Sequence, residues 1–265
     1  MNPLVVGRQV AGQRAGTYDP DTEPTRERLM PGITGAESLA RCIAIDGPTA
    51  SGKTAVGQAL AEALRVGFFD TGLMYRACTL AVMRAGTAID DERAVTDLIC
   101  SLPLDMRWPD PTEPHVYLGD EDVTPLLRTQ EIEAKVSLVS RIEDVRAELV
   151  RRQREIASRE PVVMAGRDIG TRVLKEARTK IFLDASSAVR AQRRQAEERE
   201  AGRASTFDEV LVATRRRDEL DNTGHRAIHP EQRADGALLV ETDALGLDEV
   251  VARCIEAYRR QNPGT

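Results

Sequence analysis

Residues 47–54, GPTASGKT, have the types and spacing that grip a nucleotide's phosphates. Gly47 and Gly52 bracket four residues, and Lys53 and Thr54 follow directly, which is the full pattern of a phosphate-binding loop. The glycines let the backbone curl so that successive N–H groups point inward at phosphate oxygens. Lys53 adds a mobile positive charge for the β and γ phosphates, and the Thr54 hydroxyl can ligate Mg²⁺. Gly47, Pro48, Thr49, Ala50, Ser51, Gly52, Lys53, Thr54 and Ala55 are therefore the expected donor-binding set, with ATP and Mg²⁺ as cofactors and Thr54 as the metal ligand.

Such a loop works only between a strand and a helix. The strand brings it to the edge of a sheet, and the helix aims its positive dipole end at the anion. The flanking sequence supplies both: RCIAID before the loop is apolar and strand-like, and AVGQALAEALRV after it has helical periodicity. Farther on, strand-like GFFD (67–70), PVVMAG (161–166), TKIFLDA (179–185) and GALLVET (236–242) alternate with helical stretches. Helices are predicted over 73–85, closed by Gly86, and over 90–101, 125–159, 187–201, 206–220 and 246–259. This alternation predicts an α/β fold, a parallel sheet flanked by helices. The stretch 102–124 breaks it. Alternating residues and the prolines Pro109 and Pro111 around a turn predict a small antiparallel hairpin inserted in the core. Residues 1–37, rich in Gly, Pro, Thr and charge, predict a disordered extension with a short helix near Thr25 to Met30, and the folded unit spans 38–265.

Two further segments fall at strand ends: DTGLMYRA (70–77) and GRDIGT (166–171). Ligands in open parallel sheets sit beyond the carboxyl ends of the strands, so both should converge on the loop. Thr71, Tyr75 and Arg76 beside a tight glycine turn suit a phosphate monoester.

Composition narrows the class. Hydrophobic content of 41% and charged content of 30% over 265 residues fit a soluble globular protein, and no apolar run approaches the ~18–20 residues that span a bilayer. The N-terminus lacks signal architecture, so a cytoplasmic location is expected. A net charge of −6 speaks against sequence-independent nucleic-acid binding. Cys42, Cys78, Cys100 and Cys254 form no metal spacing and read as reduced core thiols. Basic residues are mostly arginine, which suits planar, bidentate grip on phosphates. His115, His225 and His229 make no metal spacing, and Trp108 reads as packing in the hairpin.

With these residues in hand, the chain resembles the cytidylate kinases, bacterial nucleoside monophosphate kinases of the phosphate-loop class. The resemblance runs from Arg41 to Tyr258 and includes IDGPTASGKT, DTGLMYRA, GDEDVTPLLRTQEIEAKVS, Val145–Arg146, GRDIGT, KIFLDASS, RAQRR (190–194) and RRDELD (216–221). It implies a P-loop NTPase-type fold with a nucleoside-monophosphate-binding insert at about 102–160 and an arginine-rich lid at about 186–226. It implies phosphorylation of CMP and dCMP by ATP, in a monomer whose partners are these small molecules. By position, it implies that Thr71, Arg76 and Arg167 hold the acceptor phosphate. Ser137, Arg146 and Asp168 would read the base. Arg217 and Asp221 would approach the sugar, and Lys53, Arg167, Arg190 and Arg194 would supply catalytic charge.

Three positions depart from the family's pattern. Thr54 follows Lys53 without an intervening residue, which restores the general loop pattern. Gly224 stands where the family usually has arginine, a role Arg226 could take after a two-residue insertion. Asp144 stands where a proline commonly precedes the arginine aligned with Arg146. Two other readings compete. GPTASGKT also resembles the loop of tRNA dimethylallyltransferases, against which the negative charge and GRDIGT speak. A nucleotide-binding regulatory module without turnover is opposed by intact Lys53, Arg76, Arg167 and Asp168.

Overall fold

A computed structural model describes residues 35–200, 202–222 and 229–263. The expected extension and its short helix therefore lie outside the described residues, apart from 35–37. Helix α1 (Gly35–Arg41) starts slightly before the predicted edge of the folded unit. Ser38 is buried and its hydroxyl donates to the Ala157 carbonyl at 2.7 Å, while Glu37 pairs with Arg178 at 3.1 Å, so this helix is tied down at two points.

Strands β1 (Ile43–Asp46), β2 (Gly67–Asp70), β6 (Val162–Ala165), β7 (Thr179–Asp184) and β8 (Leu238–Glu241) form one parallel sheet in the order β2-β6-β1-β7-β8. Side chains alternate across it, as a strand's two-residue period requires. Ala44, Phe69, Val162 and Met164 face one core, and Ile43, Ile45, Phe68, Val163 and Ala165 face the other. Helices α2 (Lys53–Leu64) and α9 (Leu247–Gln261) cover the second face. The first is covered by α1, α3 (Gly72–Ala85), α4 (Glu92–Ser101), α5 (Gln130–Val139) and α6 (Glu143–Arg159). Burial on both faces is why these strands read as near-continuous apolar runs.

The segment predicted as one helical stretch over 125–159 is two helices, broken at Ser140–Ile142. The break lets the Ser140 carbonyl accept from Arg146 at 3.3 Å, and Asp144 occupies the first turn of α6, where negative charge suits the helix dipole. The inserted hairpin is present as β3 (Leu104–Asp110) and β4 (Glu113–Leu118), extended by a two-residue strand β5 (Glu121–Asp122). It docks on the exposed edge of β2: Phe68 N–H donates to the Pro111 carbonyl at 2.8 Å, and Trp108 Nε1–H donates to the Phe68 carbonyl at 2.6 Å. The Trp108 ring also meets Phe69 edge-on with centroids 5.7 Å apart, so it packs as predicted. An otherwise open sheet edge is thereby closed. On α6, Arg152 donates to the carbonyls of Leu102 (3.0 Å) and Cys100 (3.1 Å), capping the C-terminus of α4 where the insert begins.

Helices α7 (Ser187–Glu200) and α8 (Phe207–Asn222) pack as a pair beyond β7. Cys42, Cys78 and Cys254 are buried as expected, but Cys100 is exposed at the end of α4. Among the described residues no helix is long and apolar enough to cross a membrane.

Candidate active site

The strands β1, β2, β6, β7 and β8 end on one side, and a cavity of about 530 Å³ lies over those ends. The loop after β1 forms its floor. Gly47 takes a φ of 146°, and a Cβ there would lie 2.2 Å from the Leu183 carbonyl oxygen. Ala50 and Gly52 also have positive φ (60° and 97°), so the chain curls tightly before α2 starts at Lys53. Thr49 to Ala55 all line the cavity, while Gly47 and Pro48 shape the turn behind them. Lys53 Nζ donates to the Pro48 carbonyl at 2.6 Å. Burial, then the charge of Arg167, pulls its ammonium down to about 7.

The glycine requirement at 47 gives a direct test. Strain of this kind costs on the order of 1–3 kcal/mol and must be relieved by moving the loop. Gly47→Ala is expected to lower both the melting temperature and the affinity for ATP. Wild-type values for both would show that the loop does not need this turn.

Beyond β2, Thr71 stands at the start of α3, and its hydroxyl donates to the Ala165 carbonyl at the end of β6 at 2.9 Å instead of capping the helix. That approach depends on Gly166, where a Cβ would lie 2.7 Å from Thr71 Oγ1. Tyr75 and Arg76, on the first turns of α3, line the cavity with Ser137 from α5. Beyond β6, GRDIGT leaves the strand in a wide helical turn over Ile169–Val173. Asp46 anchors it, its buried carboxylate accepting from Ile169 N–H (2.7 Å) and Gly170 N–H (2.8 Å). Burial pushes the Asp46 carboxyl up to about 7 despite those bonds. Asp168 lines the cavity and forms a buried ion pair with Arg146, whose guanidinium lies 6.0 Å from the Tyr75 ring centroid. Arg146 is thus one residue behind the wall, reaching the site through Asp168. Asp168 does not cap the following turn through its side chain.

Arg167 lines the cavity, donates to Thr49 Oγ1 and pairs with Asp221 from α8. Asp221 itself is 1% exposed and outside the cavity wall, so the structure sets it against Arg167. Arg194 and Arg217 line the cavity from α7 and α8. Arg190 does not. It is buried, pairs bidentately with Asp218 (3.0 and 2.6 Å) and donates to the Ala185 (2.9 Å) and Thr49 (3.3 Å) carbonyls, bracing the loop against both helices. Arg226 and His225 lie outside the described residues. His115 pairs with Asp122 at 2.7 Å, away from the cavity.

Sequence reading passed over several residues that the fold brings here. Arg193 lines the cavity beside Gly52 and is held by Thr242, at 3.0 Å to its hydroxyl and 2.8 Å to its carbonyl. It lies within RAQRR, three residues past Arg190, so the run was visible, but not which member faces the loop. Asp70 and Arg128 also line the wall, with Thr242, Leu245, Leu247 and Val250 at its far end. Glu133 accepts from Arg76 and Arg217, each at 2.6 Å. Nothing in its neighbourhood in sequence signals that role.

One cavity thus joins a phosphate loop to a rim of arginines and a buried Arg–Asp pair. Residues 43–260 match the model of the cytidylate kinase family. A cytidylate kinase from Corynebacterium efficiens is 45% identical over 215 residues, covering 81% of this chain and 92% of that protein. One from Bacillus licheniformis is 40% identical over 215 residues, 81% of this chain and 94% of the other. One from Caldanaerobacter subterraneus is 41% identical over 222 residues, 84% and 96%. The loop, the two strand-end motifs and the insert all lie within the matched residues, and this chain belongs to the cytidylate kinase family.

Proposed function

We propose that this protein transfers the γ-phosphoryl group of ATP to CMP and dCMP, giving ADP with CDP or dCDP. The observation that carries this reading is a cavity lined by Thr49–Ala55, by Arg76, Arg167, Arg193, Arg194 and Arg217, and by Asp168, which Arg146 holds from behind the wall. The loop N–H groups and Lys53 take the donor's phosphates, and the apolar wall of Leu245, Leu247 and Val250 offers a face to its base. Thr71, Arg76 and Arg167 take the acceptor's phosphate, and Asp168 meets its base. The attacking atom is an oxygen of a phosphate already ionised at neutral pH, so no general base is needed. Catalysis is then alignment and charge stabilisation. Arg193 and Arg194, projecting from α7, add positive charge where the transferring group passes.

Mg²⁺ fits this site: the Thr54 hydroxyl lines the cavity, and no group of three or more His, Cys, Asp or Glu forms a dedicated metal cage among the described residues. Such a site suits an ion held mainly by substrate phosphates and water. Bound there, it would neutralise charge on the donor's β and γ oxygens.

The test is ADP release with ATP and, in turn, CMP, dCMP, UMP, AMP and unmodified tRNA. Turnover is expected with CMP and dCMP. Turnover with tRNA alone, or ATP binding without turnover of any acceptor, would overturn the reading.

Lys53 gives this site a pH signature. In the empty site its ammonium has a pKa of about 7, and phosphate oxygens favour the charged form, so ATP binding raises it. Below about pH 7 the lysine is already protonated, and binding is proton-neutral at this group. Above that value ATP binding takes up a proton, so affinity falls as the pH rises. Calorimetry at about pH 8 in two buffers of different ionisation enthalpy should show net uptake. Equal apparent enthalpies would mean that Lys53 is already charged without ligand.

A further inference from the structure

Three arginines at or just behind the cavity wall each have a carboxylate of their own: Arg146 has Asp168, Arg167 has Asp221 and Arg190 has Asp218. Arg76 and Arg217 do not. Both depend on Glu133, which accepts from Arg76 through Oε1 and from Arg217 through Oε2, each at 2.6 Å, with Arg194 at 3.5 Å from Oε1. These arms come from three separate helices, α3, α8 and α7, and Glu133 reaches them from a fourth, α5. Arg217 Nε is buried with no hydrogen-bond partner among the described residues, so Glu133 satisfies only part of its guanidinium. Burial pushes the Glu133 carboxyl up, but Arg76, Arg217 and Arg194 more than reverse this and hold it down to about 2. The residue therefore stays ionised throughout the range in which a kinase can be assayed.

Three guanidiniums gathered this closely repel one another and would turn outward without a shared anion. Arg194 also pairs with Glu197 at 3.1 Å and Glu198 at 3.5 Å on its own helix. The positive excess therefore rests on Arg76 and Arg217, which share the one carboxylate of Glu133, and it suits an incoming phosphate dianion. Ser137, one helical turn along α5 from Glu133, lines the same cavity, so the helix that would carry a base contact also carries this clamp. We propose that Glu133 is a positioning residue for the acceptor phosphate. It aims Arg76 and Arg217 into the cavity, with Arg194 beside them, before the nucleotide arrives. The ordering of these long side chains is then complete before binding, and the acceptor does not bear that cost.

This inference rests on the reading of Arg76 as an acceptor-phosphate ligand, and one set of kinetics separates the two. Wild type, Glu133→Gln, Arg217→Gln and the double variant are compared with ATP and CMP, alongside their melting temperatures. Glu133→Gln is expected to lower kcat/KM for CMP by about 10- to 100-fold, because misaimed arginines cost that much in a positioned reaction. KM for ATP is expected to stay within about twofold, since the donor loop is untouched. In the Arg217→Gln background the same change should cost far less, because its effect runs through that arginine. Should Glu133→Gln fail to fold, Glu133→Asp keeps the charge with a shorter reach, and a smaller, acceptor-only loss is expected. A lower KM for CMP in Glu133→Gln would show that the carboxylate competes with the phosphate, and would overturn the proposal. So would full additivity in the double variant, or an equal change in the KM for ATP. A wild type inactive with CMP would sink the functional reading and this inference together, whereas an active wild type with an unchanged Glu133→Gln would sink the inference alone.

Discussion

Lys53→Ala is expected to lower phosphoryl transfer from ATP to CMP by about 10²–10³-fold, the usual effect of removing one charge that a transition state requires. Lys53 is the first residue of α2 and its Nζ reaches back to the Pro48 carbonyl, so the ammonium sits within the curl of the loop. Arg167, Arg193 and Arg194 also line the cavity, but from other elements: Arg167 meets the loop from outside at Thr49 Oγ1 and Arg193 lies beside Gly52. The substitution leaves Gly47, Ala50 and Gly52, which shape the turn, in place. The melting temperature should therefore change little, and removing a partly desolvated cation could even raise it. Turnover at saturating ATP and CMP measures the effect. A variant that keeps more than about half of wild-type activity would mean that this loop is not the donor site.

The second large effect concerns base choice. CMP should be strongly preferred over UMP, and Asp168→Asn should collapse that preference. A carboxylate only accepts hydrogen bonds, so it suits cytosine's 4-amino group, and a guanidinium only donates, so it suits the ring nitrogen or the 2-carbonyl. Uracil reverses the first two positions and would set a carbonyl oxygen against Asp168. Arg146 occupies Oδ2 of Asp168, and among the described residues no side chain bonds to Oδ1, which leaves that oxygen for a ligand. Both residues are largely buried (5% and 6% exposed), so water offers little relief for a mismatched base. Sites that hydrogen-bond a particular group reject analogues lacking it by up to about 10⁴–10⁵.

Asparagine at 168 can present either an acceptor or a donor, which should bring kcat/KM for CMP and UMP toward each other. It also leaves the Arg146 guanidinium buried without its anion, and such losses cost on the order of 3–5 kcal/mol. Melting temperature must therefore be followed in parallel, and the CMP/UMP ratio, which cancels a shared loss of folded protein, is the quantity to compare. A wild type that uses both bases equally, or a ratio unchanged by the substitution, would refute this assignment.

How far the site could be read in advance depended on how far apart its parts lie along the chain. GPTASGKT is legible because its chemistry resides in contiguous backbone: a curl of N–H groups needs glycines at set spacings, and those spacings are written in order. DTGLMYRA and GRDIGT are legible for a related reason, since each sits at the end of an apolar run that becomes a parallel strand. Asp46 shows the boundary of this legibility. It ends the first strand in plain view, yet its bonds to Ile169 and Gly170 join residues 123 and 124 positions apart. The same holds for Glu133, which is 57 residues from Arg76 and 84 from Arg217.

Polar helices hid more than apolar ones. Helix α3 buries Leu73, Met74, Ala77, Cys78, Ala81 and Val82, so its inner face can be found from hydrophobic spacing. Among the described residues of α7 only Arg190 and Ala191 are buried, and an arginine-rich helix has no apolar stripe to show which way it turns. That is why Arg190, a brace behind the loop, could not be told from Arg193, which faces it. The break between α5 and α6 was concealed likewise, because the residues around Ser140–Ile142 include neither glycine nor proline.

The amino-acid sequence by itself determined the phosphate loop, the alternation of strands and helices and the antiparallel insert, because each is set by local backbone preference and by side-chain periodicity along a short run, and it carried the motifs on which the family resemblance rests. Only the tertiary structure decided the strand order β2-β6-β1-β7-β8, the docking of the insert on β2, and which carboxylate holds which arginine. An ion pair depends on where two helices or loops come to rest in space, and guanidiniums are chemically alike wherever they stand in the chain.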